Sequence, residues 1–99
     1  MTIYETLQST GIPCVYSHFT TAHTPPYLVY IGNGQDNLDA DNTHYWRENK
    51  YQVEYYFTEK NESAESAIED ALLENGFIYD KSEDIYLEDE GVFLIYYYI

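Results

Sequence analysis

The chain has 99 residues and a mass of 11.7 kDa, the size of one small domain spanning residues 1–99. Eighteen Asp and Glu against four Lys and Arg leave a formal net charge of −14. That is about one uncompensated negative charge per 400 Å² of the roughly 6,000 Å² such a domain exposes. This field repels nucleic acid and anionic lipid and argues against phosphate-backbone binding, while an aromatic content of 18% argues against a disordered acidic chain.

The first predicted element is a short helix over residues 3–10. Thr2 and Glu5 have the spacing of a capping box, Ile3 and Leu7 form an apolar stripe, and Gly11 and Pro13 stop the helix. Cys14–Tyr16 reads as a short strand, and the lone Cys14 as a small buried hydrophobe with no disulfide partner. His18–Pro26 reads as a loop. Tyr27–Ile31 is β-branched and aromatic, hence a strand, and Asn33-Gly34 is expected to break it. Asn33–Thr43 is the least apolar stretch and reads as a wide turn or projecting loop.

Tyr45–Thr58 is the longest strand candidate, with Tyr51, Val53, Tyr55 and Phe57 on one face and Lys50, Gln52, Glu54 and Tyr56 on the other. Asn61 or Ser63 can cap a second helix over 62–75, whose apolar stripe is Ala64, Ala67, Ile68, Ala71 and Leu72. Its acids, Glu62, Glu65, Glu69, Asp70 and Glu74, have no basic partner within the helix, so packing must hold it. Phe77–Tyr79 and Ile85–Leu87 flank a polar stretch, and Glu88–Gly91 is a turn. Val92–Ile99 is a strand apolar on both faces, which must be covered on both sides or meet a partner.

The order α-β-β-β-α-β-β predicts an α+β fold: a mainly antiparallel sheet with two helices on one face. The other face then carries several of Tyr16, Tyr30, Tyr56, Tyr96 and Tyr98. Tyrosine suits a surface that alternates between wet and buried, so Tyr30, Tyr56, Tyr96 and Tyr98 are the candidate interface of an oligomer. The bland alternative is a curved sheet that folds over its own rings.

Chemistry is sparse. Asp36, Asp39 and Asp41 offer carboxylates for a cation but lack the ordered spacing, central Gly and terminal Glu of a calcium loop. A solvated acidic loop is the simpler reading, as it is for Glu88, Asp89 and Glu90. His18, His23 and His44 have no metal-ligand spacing, and Gly32-Asn33-Gly34 is a turn signal rather than a phosphate loop. No catalytic constellation, metal site or cofactor site is expected. Met1–Glu5 lacks the basic and apolar regions of a signal peptide, and no apolar stretch approaches 18 residues, so no membrane association is expected.

One ordered set of residues goes beyond generic pattern: Pro25–Tyr30, Asp41–Trp46, Tyr51–Phe57, the Ile68–Leu72 helix, then Gly76-Phe77 and Lys81–Asp84. It resembles small proteins of the head–tail modules of long-tailed phages and prophages of Gram-positive bacteria, and in element order the tail terminator group. The resemblance implies a structural virion protein of the head–tail junction, made in the host bacterial cytoplasm. Its copies would form a homo-oligomeric, hexameric ring that caps the tail tube and joins it to the head. The implied partners are the chain itself, the tail tube protein and a head-completion or connector protein. DNA would pass an acidic inner wall without specific binding. Asp36, Asp39, Asp41, Glu88, Asp89 and Glu90 are the candidates for loop or lumen contacts. Terminator and neighbouring connector component both remain open. The alternative from another class is an acidic DNA mimic that inhibits a nucleic-acid-binding enzyme.

Overall fold

A computed structural model describes residues 2–21, 23–40 and 43–99, and for residues 36–48 the backbone pairing alone. The fold is α+β, a six-stranded, mostly antiparallel sheet with two helices. Helix α1 spans Ile3–Gln8, strand β1 Cys14–Tyr16, β2 Tyr27–Ala40, β3 Thr43–Phe57, helix α2 Glu62–Glu74, β4 Asp80–Lys81, β5 Ile85–Leu87 and β6 Val92–Tyr98. The spatial order is β1-β2-β3-β6-β4, with β5 also on β6. Strand β1 lies parallel to β2, and the other pairs are antiparallel.

Both helix starts follow their capping residues. The Glu5 amide donates to Thr2 Oγ1 at 3.1 Å and the Thr2 amide to Glu5 Oε1 at 3.0 Å, a reciprocal box. This helix stops at Gln8, two residues short of the expected end, because the Ser9 and Thr10 hydroxyls donate to the carbonyls of Thr6 and Leu7. On α2 the Ala64 amide donates to Asn61 Oδ1 at 3.1 Å. Its C-terminus closes on Gly76 at φ 85°, where Gly76 N–H donates to Leu73 O and Phe77 N–H to Leu72 O. That pairing satisfies two end carbonyls and needs a left-handed residue at position 76.

Alternation along β2, β3 and β6 sends Leu28, Val53, Tyr55, Phe57, Ile95 and Tyr97 into one core with Ile3 and Leu7 of α1 and Ile68 and Leu72 of α2. The expected faces of β3 are therefore those observed, with Val53, Tyr55 and Phe57 buried against the helices. The expected break at Asn33-Gly34 does not end β2. A register shift between Gly32 and Gln35 absorbs it as a bulge, with Gly34 at φ 83°, and the strand continues to Ala40. The expected loop over Asn33–Thr43 is instead the distal part of a β2–β3 hairpin. Beyond Gly32 and Tyr51 the described pairings of this arm are between its own two strands. The β3 side of this arm falls largely within the strand expected over Tyr45–Thr58, whereas the β2 side, Asn33–Ala40, has Leu38 as its one sizeable apolar residue and so no apolar alternation to mark it. Phe77–Tyr79 is not a strand; pairing starts at Asp80, in the polar stretch, where Asp80 and Lys81 face Tyr98 and Tyr97.

Helix α2 gains from the sheet edge the positive charge it lacks. Lys81 Nζ lies 2.8 Å from Glu65 Oε1 and 2.8 Å from Glu69 Oε2, so one ammonium bridges two carboxylates a turn apart. Glu65 is 3% exposed. Its Oε2 lies 2.8 Å from Lys60 Nζ, an ion contact outside hydrogen-bond geometry. Tyr97 donates to Glu69 Oε2 at 2.8 Å, and Lys60 reaches on to Asp84 at 3.0 Å. Burial pushes both carboxyls up, but Lys60 and Lys81 outweigh it at Glu65, as Lys81 with the Tyr97 and Tyr79 phenols does at Glu69, and both are held below the ordinary value. Burial, then the Glu69 contact, raises the Tyr97 phenol.

Lys81→Met is expected to lower stability by about 2–3 kcal/mol at neutral pH, because it leaves a buried carboxylate with a single, solvent-exposed counter-ion. Depressed folded carboxyl values mean that this stabilisation is complete above the unfolded Glu value of ~4.3 and is lost as pH falls through the folded values. Urea melts of the two chains should therefore differ at neutral pH and converge as pH falls below ~4. A gap that persists unchanged into acid contradicts the ion cluster.

Candidate interaction face of the sheet

Both helices pack on one face of the sheet, so among the described residues the other face has no helical cover. The register assembles it in rows. Tyr27, Tyr56 and Leu94 stand side by side across β2, β3 and β6; Val29, Glu54 and Tyr96 form the next row; Ile31, Gln52 and Tyr98 the third. Tyr27 stacks on Tyr56 with centroids 4.9 Å apart, and Tyr96 on Tyr98 at 5.7 Å. Val29 and Leu94 are buried, Tyr27, Tyr56 and Tyr96 are half-buried, and Tyr98 is 40% exposed.

The carboxylate within those rows is Glu54, and its neighbours tie it down. Gln52 donates to Oε2 at 2.9 Å and Tyr56 to Oε1 at 2.6 Å. Both donors stand beside it on β3 and keep its charge hydrogen-bonded when water leaves the face. Burial, reinforced by the Glu54 hydrogen bond and charge, pushes the Tyr56 phenol well above the ordinary tyrosine value. Tyr56 is therefore a neutral donor throughout the physiological range.

Of the four tyrosines expected on the interface, Tyr56, Tyr96 and Tyr98 share this open face. Tyr30 does not. It follows Leu28 by two residues and so points to the helix side, where its ring meets Tyr4 at 6.1 Å, Tyr16 at 5.2 Å and Tyr51 at 6.3 Å. Tyr16 lies on that side too, opposite Tyr30 in the β1–β2 register. Of the five rings from which the open face was expected to draw, strand phase therefore sets Tyr16 and Tyr30 on the helix side. Tyr27, one residue from Pro26, takes that place, and the phase of β2 against β3 was the missing information.

The acidic candidates separate. Glu88, Asp89 and Glu90 form the exposed turn joining β5 to β6, closed by the Gly91 amide on Leu87 O at 2.8 Å. Asp36 and Asp39 pair by backbone with Glu48 and His44 across the hairpin. Asp41 lies outside the described residues, as do the side chains of Asp36 and Asp39. Among the described residues no three His, Cys, Asp or Glu converge on a metal-sized site, and no helix is long and apolar enough to cross a membrane. Cys14 is a free, half-buried thiol, raised by burial. His18 and His23 lie in the β1–β2 connection, at the end of the open face, where the His23 ring stacks on Phe19.

No family model, curated protein or solved structure matches this chain.

A titration of the Tyr56 ring followed by NMR is expected to start above the free-tyrosine value of ~10. Glu54→Gln should move it downward, because the substitution removes the charge that disfavours phenolate. An unshifted midpoint in that variant contradicts the Tyr56–Glu54 pair.

Proposed function

We propose that this chain is a structural assembly protein of the phage head–tail junction. Its copies close into a ring on the end of a tail tube by burying the open sheet face. The observation that carries this reading is the distribution of charge and rings. A chain of net charge −14 keeps one carboxylate, already hydrogen-bonded, among the three described rows across β2, β3 and β6, with Asp80 beside Tyr98 and Glu90 beside Tyr27 and Tyr56 at the rim. The rows otherwise hold four tyrosines, aliphatic side chains and one glutamine. The other described acids stand at the rim of that surface, as Asp80 and Glu90 do, or where water remains, as on the exposed faces of α2 at Glu62, Asp70 and Glu74.

A ring requires a heterologous contact, in which one patch meets a different patch of the next copy. The open face and the projecting β2–β3 arm are two such unlike surfaces on one chain. The acidic remainder suits a channel through which a polyanion moves without finding attractive wells.

Native mass spectrometry with purified tail tubes tests the proposal. The wild-type chain should join the tubes as a closed set of copies. The double substitution Tyr96→Asp and Tyr98→Asp, at half-buried and exposed positions, should leave it folded and single. A wild-type chain that ignores the tubes contradicts the proposal. Salt-sensitive capture of a DNA-binding enzyme in its place would favour the acidic inhibitor.

A further inference from the structure

The segment between β1 and β2 builds a cleft at one end of the open face. The Phe19 ring stacks on His23 at 3.7 Å and meets Tyr27 edge-on at 5.3 Å, and Tyr27 in turn stacks on Tyr56. These four rings and the Glu90 carboxylate line a recess of about 380 Å³, at the small end of ligand pockets. The β5–β6 turn brings Glu90 to it, and Glu54 lies behind the Tyr56 hydroxyl. Burial first, then the negative charges of Glu90 and Glu54, raises the Tyr27 phenol, so both carboxylates act on the same ring.

Aromatic walls with carboxylates at their edge make a site of definite sign. Ring faces attract cations, and a carboxylate hydrogen-bonded to a phenol strengthens that ring's negative face. Anions are repelled. A metal ion would find one lining carboxylate and the His18 and His23 rings, which do not converge on one point with it among the described residues. A guanidinium fits best: it is planar, stacks on rings and sheds water more readily than an ammonium, while its N–H groups can reach Glu90. No lysine or arginine is among the described residues that line the recess. Lys60 and Lys81 are held by Glu65 on the helix side of the sheet.

We propose that the Phe19–Tyr27–Tyr56–Glu90 cleft is a docking site for the guanidinium of an arginine side chain presented by a partner protein. The cleft shares Tyr27 and Tyr56 with the open face, so a partner that covers the face would bring the arginine with it, and binding of a free arginine derivative to the single chain tests the site whether or not a ring forms. It places a charge-specific anchor beside a largely apolar surface, which sets the orientation of whatever lands there.

The probe is N-acetyl-arginine amide, titrated into the full chain at pH 8, above the imidazole range, with the Phe19, Tyr27 and Tyr56 ring signals followed by NMR. Saturable shifts of these rings are expected with arginine and not with the uncharged isostere N-acetyl-citrulline amide. Glu90 sits on an exposed turn, so its substitutions should leave the fold intact. Glu90→Gln should weaken binding about three- to tenfold, and Glu90→Lys should abolish it. Equal shifts with citrulline, no saturable shift of these rings, or unchanged binding in Glu90→Lys would each overturn the assignment.

Discussion

Burying the Glu65 carboxylate is the constraint on which the helix layer depends. A charge 3% exposed is tolerated only when its counter-charges are fixed, and here Lys60 and Lys81 arrive from either side of α2 in sequence. Lys81 also binds Glu69, which converts a repulsive pair one turn apart into a bridge. Tyr97 of β6 completes the set through Glu69, so α2, β4 and β6 share one polar cluster above the apolar core. With four basic residues in the chain, committing two of them here decides where other acids can stand. Those others must stand in water or, like Glu54, on neutral hydrogen-bond donors.

That decision shapes the opposite side of the sheet. A face that lacks helical cover could have been polar, as in many antiparallel sheets. Here it presents stacked tyrosines, with Glu54 held between Gln52 and Tyr56. Tyrosine tolerates water through its hydroxyl and rewards burial through its ring. Such a surface tolerates water in a lone chain and gains when covered, which is the property the proposed assembly would use. The cleft under Phe19 adds direction to that surface, since it attracts one sign of charge at one end.

Much of this was legible in the residues because local physics decided it. The capping box at Thr2 and Glu5, the stop at Gly76, the phase of Val53, Tyr55 and Phe57 and the turn at Glu88–Gly91 all depend on neighbours within a few positions. Features that depend on partners distant in sequence were not legible. Strand phase across β2 decides that Tyr27 rather than Tyr30 faces outward, and no short-range pattern states it. The distal half of β2 lacked a signal because Asn33–Ala40 offers one sizeable apolar side chain, Leu38, and no alternation. The pairing of Lys81 with Glu65 spans sixteen residues and follows from sheet-edge placement. The cleft was hidden for the same reason: Phe19, Tyr56 and Glu90 come from three separate elements.

The central claim is that the open tyrosine face is covered when the protein works. Hydroxyl-radical footprinting of the chain alone and bound to tail tubes reads that coverage residue by residue. The account requires Tyr96 and Tyr98 to be modified in the free chain and protected in the assembly, with Tyr86, an exposed ring on the helix side of the sheet edge, serving as an internal reference. Protection confined to the helix side, with Tyr96 and Tyr98 still reactive, would contradict it.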